Sequence, residues 1–387
     1  MKLFPDYFDP VSLDKPLLEF LPRDYTFSAN IKVHTAGTKS GDLADYRVAL
    51  LGVPEARNSP ASGFAMAPDK IREALYQTAR IPRNIKIIDL GNIKRGQTVN
   101  DTYAGLTDVA VDLLQKNLTI VVLGGSQDLT VPLFRAYKKL RRPCSLLVID
   151  NRPDLLPSPD KSAHSFSFLR TIVQEKAKIL HQSTLLGFQQ YLTDKSAIDI
   201  LEKLYMDPLR LGQLREDLSR SEPLLRDADL VSIDMNAVRY ADAPGTLMPC
   251  ANGLYGEELC QLARYAGLGG KTSVFGVFDI LPDHDPYNVT AQLAAQTIWY
   301  FLEGLSQNLY ENPLEQPEKF RKYIVANEEI PTDLTFYQSL TTERWWIEVP
   351  PESADKKPLV YSCGKEDYEA ACNHQITDRI WRIFRKA

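Results

Sequence analysis

From residue 46 onward the chain alternates short continuous runs of Val, Ile and Leu with amphipathic stretches, and this alternation constrains the fold more than any other feature. Strands are expected over Tyr46–Val53, Ile85–Leu90, Leu118–Leu123, Ser145–Asp150, Thr184–Phe188, Ala228–Asp234 and Ser273–Asp279. Helices are expected over Pro68–Ala79, over Gly105–Lys116, from about Thr130, and over Val289–Leu305, the first with a proline at its start. A strand that is apolar along its whole length is buried on both faces, which happens when helices cover both sides of a parallel sheet. The spacing therefore predicts an α/β chain: a three-layer αβα fold with a mostly parallel central sheet.

In such sheets ligands bind in the crevice beyond the carboxyl ends of the strands. Polar residues gather at those ends. Gln127 and Asp128 follow one strand; Asp150, Asn151, Arg152 and Asp154 follow another; Asp234 and Asn236 close a third; Asp279, Asp283, His284 and Asp285 follow the last. Taken singly, an aspartate after a strand reads equally well as a cap or a solvated loop residue. Taken together, Asp150, Asp154 and Asp234 would repel one another. Two like charges ~4 Å apart cost roughly 4 kcal/mol at an effective dielectric of 20. Such a cluster calls for protons, a bound cation or a basic neighbour.

These segments resemble the ureohydrolase family, which includes arginase, agmatinase, formimidoylglutamase and proclavaminate amidino hydrolase. The resemblance runs from about residue 46 to 306, opening on LLGVPEARNSPASGFAMAPDKIREAL. Gly124-Gly125-Ser126-Gln127 matches the family's Gly-Gly-Asp-His. Asp150-Asn151-Arg152-Pro153-Asp154 matches its Asp-Ala-His-x-Asp. Ser232-Ile233-Asp234-Met235-Asn236, followed by Ala243-Pro244-Gly245-Thr246, matches its Ser-x-Asp-x-Asp and Ala-Pro-Gly-Thr. Asp279-Ile280-Leu281-Pro282 matches its Asp-Ile-x-Glu. The tail, with Glu343-Arg344-Trp345-Trp346 and the Cys372-Asn373 region, looks like an extended formimidoylglutamase-like branch found in some bacteria.

The resemblance implies two manganese ions held by two His and four Asp, with a bridging hydroxide as nucleophile. Here three of the six positions remain aspartate: Asp150, Asp154 and Asp234. Gln127 and Arg152 stand where the family has His, and Asn236 stands where it has Asp. Gln and Asn offer a neutral carbonyl oxygen; Arg is always protonated and has no lone pair to give. The expectation is therefore no cofactor, or at most one metal on Asp150, Asp154 and Asp234. Arg152 can bond two carboxylates with its planar fork, so an ion-pair network of Arg152, Asp150, Asp154 and Asp234 is expected; the other reading is a loop side chain pointing away. His164 matches the family's proton-transferring loop histidine, or is simply a loop residue at a helix start. Pro282 replaces the guanidinium-binding Glu, with Asp283 or Asp285 able to approach the same space. Gly187-Phe188-Gln189 stands where the family has Gly-x-Arg. His284 reads as solvated loop, and Trp345 and Trp346 as packing anchors.

Composition narrows the function classes. The chain has 387 residues, 44% of them hydrophobic, and a net charge of −5 with no run of Lys or Arg, so no nucleic-acid footprint is present. No stretch reaches the ~18 apolar residues of a membrane span, and MKLFPDYFDPVSLDK lacks the apolar core of a signal peptide. Five scattered cysteines without a Cys-x-x-Cys spacing suit a reducing cytoplasm. Residues 1–45 read as a lead-in packing on the core, 46–310 as the arginase-like domain, and 311–387 as an extension packing on it, with too few apolar runs for a separate folding unit. The main functional reading is a non-catalytic arginase-family protein, a pseudoenzyme in a binding or scaffold role. It would take a small cationic ligand or a protein partner in its relic cleft of Gln127, Asp150, Arg152, Asp154, Asp234, Asn236 and Asp283. The alternative is an active C–N hydrolase of linear amidines, of formimidoylglutamase or agmatinase type, with His164 and Asp154 as its catalytic groups. A homo-oligomer fits either.

Overall fold

The computed structural model describes residues 4–12, 23–36, 43–157, 164–175, 178–204, 206–326, 332–351 and 357–386. Its strands in chain order are β1 (Phe8–Asp9), β2 (Ile31–Val33), β3 (Val48–Gly52), β4 (Ile87–Ile93), β5 (Thr119–Leu123), β6 (Cys144–Ile149), β7 (Leu180–Phe188), β8 (Asp207–Arg210), β9 (Leu230–Asp234), β10 (Val274–Phe278), β11 (Phe320–Val325), β12 (Leu334–Ser339), β13 (Trp345–Val349) and β14 (Leu359–Cys363). The helices are α1 (Phe4–Tyr7), α2 (Ala67–Gln77), α3 (Val99–Gln115), α4 (Thr130–Leu140), α5 (Phe168–Gln174), α6 (Lys195–Lys203), α7 (Leu211–Glu216), α8 (Glu222–Arg226), α9 (Gly256–Gly269), α10 (Val289–Gln307), α11 (Lys365–Cys372) and α12 (Asp378–Lys386).

The first ten strands form one sheet in the order β1-β4-β3-β5-β10-β9-β6-β7-β8, with β2 also paired to β4. Every pairing in it is parallel except β1 with β4. Side chains alternate between two apolar layers, as the two-residue period of a strand requires. In β5, Val121 and Leu123 face the layer built by α2, α9 and α10. Ile120 and Val122 face the layer built by α3, α4 and α5. This is the three-layer architecture expected from the continuous apolar runs. No helix among the described residues is long and apolar enough to cross a membrane.

Three regions differ from the sequence reading. The lead-in does more than pack on the core, because β1 and β2 join the main sheet. Helix α3 begins at Val99, well before Gly105. Thr98 Oγ1 accepts from the Asp101 amide at 3.2 Å, and the Asp101 carboxylate accepts from the Thr98 amide at 2.7 Å. That reciprocal capping box sets the helix start. The extension carries an antiparallel sheet of its own, β11-β12-β13-β14, around a separate apolar cluster that includes Leu334, Phe336, Trp345, Ile347, Tyr361 and Ile380. Its contacts with the main body are largely polar. Arg226 Nη2 donates to Trp345 O at 3.1 Å and Cys363 O at 3.3 Å, and the guanidinium lies 4.3 Å from the Trp346 ring centroid. Ser362 donates to Asp227 through both its amide and its hydroxyl, and Arg382 pairs with Asp207 at 2.6 Å. Trp345 and Trp346 are buried packing residues, as read from the sequence.

Candidate functional site

Strands β5, β10, β9 and β6 are neighbours in the sheet, so their carboxyl ends lie side by side at one edge of it, where ligands bind in sheets of this kind. The two glycines after β5 let that end approach its surroundings closely. A Cβ on Gly125 would sit 2.0 Å from the Glu55 carbonyl oxygen, so only glycine fits there. Just beyond, the backbone turns Gln127 and Asp128 inward, and both are fully buried.

Asp150, Asp154 and Asp234 come together, each offering an oxygen within 4.8 Å of the others, and all three are buried. Two further aspartates join them that the sequence placed at strand ends without assigning to the site. Asp279 accepts a hydrogen bond from the Gln127 amide at 3.0 Å. Asp128 accepts a short one from the Tyr103 hydroxyl, which itself accepts from Asn58 at 3.1 Å. Asp154 and Asp279 hold φ angles of 44° and 61°, a left-handed backbone tolerated by aspartate but uncommon outside glycine. Conformations of this kind concentrate at functional sites.

Burial and mutual repulsion dominate the electrostatics. Desolvation, then the charges of Asp154 and Asp234, hold Asp150 well above the usual carboxylate range. Asp154 is raised by burial and then by Asp234. Asp279 is raised by burial, then by Asp234 and Asp128. Burial pushes Asp128 and Asp234 up to about 6. A raised carboxyl pKa means that the charged form lacks compensation.

The hydrogen bonds show how each oxygen is used. Asp150 Oδ1 accepts from the Arg152 amide at 3.2 Å, while its Oδ2 has no partner. Asp234 Oδ1 accepts from Asn236 twice, from the backbone amide at 2.6 Å and from Nδ2 at 2.7 Å. Gln127 Nε2 donates to Ser232 at 3.2 Å, and its Oε1 has no partner. Asp154 Oδ1 and Asp128 Oδ1 are likewise buried without a donor.

Several expectations are corrected here. No ion pair among the described residues joins Arg152 to Asp150, Asp154 or Asp234, so the expected network does not form. Arg152 is half-buried; its Nε donates to Asn151 Oδ1 at 3.1 Å, and its guanidinium lies 6.0 Å from the Phe166 ring centroid. The Asn151 amide in turn donates to Asn236 O at 2.6 Å. Asn236 is placed as a buttress, not as a ligand, because its Oδ1 is occupied by the Met248 amide at 3.0 Å. Asp285 does not face the cleft; its two oxygens cap α10 by accepting from Thr290 and Ala291. Asp283 and His284 are exposed on the turn after β10.

His164 is half-buried just before α5, its backbone amide donating to Ser167 Oγ at 3.1 Å. Ser162 and Ala163, which precede it in the matching motif, lie outside the described residues. Gln189, at the end of β7, is tied by its amide to Asn151 O at 2.9 Å, which sets it beside Arg152. The Tyr191 hydroxyl and Cys250 Sγ lie 3.1 Å apart nearby, and Tyr191 is exposed. Asp128 and Asp279 were the residues the motif comparison undervalued. The available signal was their position one to five residues past buried strands that are now seen to be neighbours.

Comparisons with known proteins bear on this geometry. A profile described as "Arginase family" matches residues 46–303. Formimidoylglutamase of Photorhabdus laumondii is 24% identical over 269 residues, covering 65% of this chain and 84% of that protein. The solved formimidoylglutamase of Bacillus subtilis superposes with a TM-score of 0.65 at 18% identity, covering 77% of this chain and 98% of its own. Formiminoglutamase of Trypanosoma cruzi, solved with Mn2+2, gives a TM-score of 0.63 at 17% identity, over 70% and 97% of the two chains.

Proposed function

Because this chain belongs to the arginase family, we propose that it hydrolyses C–N bonds of linear amidines, in the manner of the formimidoylglutamases it resembles, and that it does so with a single divalent cation. One observation carries the reading. Three buried carboxylates lie within 4.8 Å of one another, and no cationic side chain among the described residues pairs with them.

The donor set fits one ion. Asp150 Oδ2, Asp154 Oδ1 and Gln127 Oε1 are buried acceptors without donors, and Asp234 is steered by Asn236 through one oxygen only. These four residues would hold the ion, and an all-oxygen set suits Mg, Ca or Mn. The expectation of no cofactor is set aside on that ground. The set does not fit a second ion: Asn236 spends its oxygen on Met248, and Arg152 has no lone pair. A cation bound here supplies Lewis-acid polarisation and makes water a usable nucleophile near neutral pH.

The chain's own residues supply the rest. Asn236 holds Asp234 at a fixed angle, and Ser232 orients the Gln127 amide so that its oxygen faces away from the hydroxyl. Asp154, ionised once the cation is bound, would take a proton from the attacking water through the carboxylate oxygen it does not give to the ion. His164, at the entrance to α5, passes protons between the cleft and solvent. Asp283, exposed on the turn after β10, would draw a cationic amidine inward.

The loss of both histidines and the diversion of Asn236 favour a second reading, in which the same cleft binds a cation without turnover. One experiment separates the two. Full-length protein is dialysed against manganese and then buffer, metal is counted by mass spectrometry, and formamide release is followed on formimidoylglutamate and urea release on agmatine. The hydrolase reading predicts one equivalent per chain and measurable release, both lost in Asp150→Asn. Retained metal without release leaves the binding reading; no retained metal and no release removes the hydrolase.

A further inference from the structure

A buried charge of the opposite sign lies at the other end of the central strands. Arg226, which ends α8, is 5% exposed. Its Nη2 is engaged by Trp345 O, Cys363 O and the Glu222 carboxylate, the last at 3.2 Å. Its Nε and Nη1 are buried and have no acceptor. Burial outweighs the charges of Glu222 and Asp227 and lowers its proton affinity, yet a guanidinium stays protonated in proteins. Arg226 lines a cavity of about 290 Å³ between the main body and the extension. The arginase-family match ends at residue 303, and the residues that close the cavity from the extension, such as Glu311, Arg344 and Trp346, lie beyond it. Asp227, also in the lining, precedes β9, and Asp234 ends that strand. The two sites are therefore the length of β9 apart, on the order of 15 Å.

The acids of this cavity are answered within the chain, while its bases keep donors to spare. Asp227 accepts from the Ser362 amide at 2.9 Å and from its hydroxyl at 2.7 Å. Glu311 accepts from the hydroxyls of Ser339 and Thr342. Glu222 is shared between Arg226 and Arg344, at 3.2 and 3.1 Å. Lys271 gives one proton to the Asp227 carbonyl at 2.8 Å and stands 3.6 Å from Asp229. Donors in surplus call for a ligand that brings acceptors and negative charge. Asp227 and Glu311 in the same lining limit that charge, because a dianion would meet both carboxylates at close range. Leu309, Pro313, Trp346 and Val360 line the rest and suit an apolar body. We propose that this junction cavity binds a small organic monocarboxylate, its carboxylate between Lys271 and Arg344 beside the Arg226 charge and its apolar body toward Trp346 and Val360. The site goes beyond the hydrolase reading, shares no residue with the buried carboxylate cluster and is built in part by the extension.

The test titrates the full chain calorimetrically with three probes: benzoate, inorganic phosphate, and benzyl alcohol, which keeps the ring and lacks the charge. Benzoate is expected to saturate at one equivalent per chain and to bind about tenfold tighter than either of the others, the low end for a charged hydrogen-bond partner. Lys271→Gln is expected to weaken benzoate about tenfold for the same reason. Lys271→Arg restores the charge and is expected to recover most of that loss, which a merely structural role would not produce. Arg344→Gln is expected to weaken benzoate as well. Arg344 also pairs with Glu222, so thermal melts check that this variant folds, and the half-exposed Lys271 carries the test if it does not. Asp150→Asn, at the far end of the sheet, is expected to leave benzoate binding unchanged. Such binding together with absent amidine turnover keeps this site and removes the hydrolase. No saturable benzoate binding, tighter binding of phosphate or benzyl alcohol, an affinity unaltered in Lys271→Gln, or a loss in Asp150→Asn overturns the assignment.

Discussion

Two buried carboxylate sites occupy the same parallel sheet and behave oppositely. On β4, Asp89 is completely enclosed and completely answered. Arg72 donates to it through Nε at 2.8 Å and Nη2 at 3.2 Å, Tyr76 donates its hydroxyl at 2.9 Å, and the Gly91 amide adds a fourth bond at 2.9 Å. Just past β6 and at the end of β9, Asp150, Asp154 and Asp234 are as deeply buried, yet they lie close together, and Asp150 and Asp154 leave oxygens without donors. Depth of burial is therefore not what marks a functional carboxylate. A buried charge whose partner comes from the same chain is part of the scaffold. A buried cluster of one sign, with free oxygens, needs protons or a counter-charge from solution.

The comparison breaks first, and hardest, at Asp89. Arg72→Met leaves a buried charge unpaired and is expected to cost about 3–5 kcal/mol in urea denaturation, whether or not manganese is present. A loss that manganese repairs would mean that the two sites are one network.

The pH dependence sharpens the contrast from the other side. Folding raises Asp128 and Asp234 from 3.8 to about 6, so the folded chain keeps protons that the unfolded chain has released. In metal-free protein, stability should be full below pH 3.8 as far as these groups are concerned, and should fall as pH rises to about 6. Manganese should flatten or reverse that fall, because metal binding is favoured as its ligands lose protons. Melting curves across that window with and without manganese check it; a metal-free stability that climbs instead would show the cluster to be compensated already.

The smallest effect belongs to Tyr103, whose hydroxyl answers Asp128 as Tyr76 answers Asp89. Tyr103→Phe should cost about 1 kcal/mol and should raise the Asp128 pKa further, since that hydrogen bond favours the carboxylate. Titration of the Asp128 side chain by NMR reads the shift; no change would place Tyr103 outside the site.

Much of this was legible in the linear chain. Strand runs such as LTIVVL and SLLVID announce burial on both faces, and the motif order around Gln127, Asp150 and Asp234 locates the cleft. The start of α3 was legible too, in Thr98 and Asp101, but a search for apolar period alone passes over a capping box. The extension was underestimated for a related reason. Its strands are as long as the central ones, but β11 (FRKYIV) buries only Phe320, and polar residues interrupt β12 (LTFYQS) and β13 (WWIEV), so they carry a weaker apolar signal than the central strands. Arg152 misled because its residue type licenses pairing with any nearby carboxylate, and type says nothing of where the fork points.

By itself, then, the sequence determined the layers of the protein and which strand ends would carry charge, because a continuous apolar run has only one way to satisfy both its faces. Only the tertiary structure decided what each charge is for. Gln127 meets Asp279 across 152 residues, Asn236 turns its amide to Asp234 and its oxygen to Met248, and Asp285 leaves the cleft to cap a helix. Those choices are made by hydrogen-bond geometry between distant segments, and a polar side chain with several possible partners is resolved only when the fold brings one of them within reach.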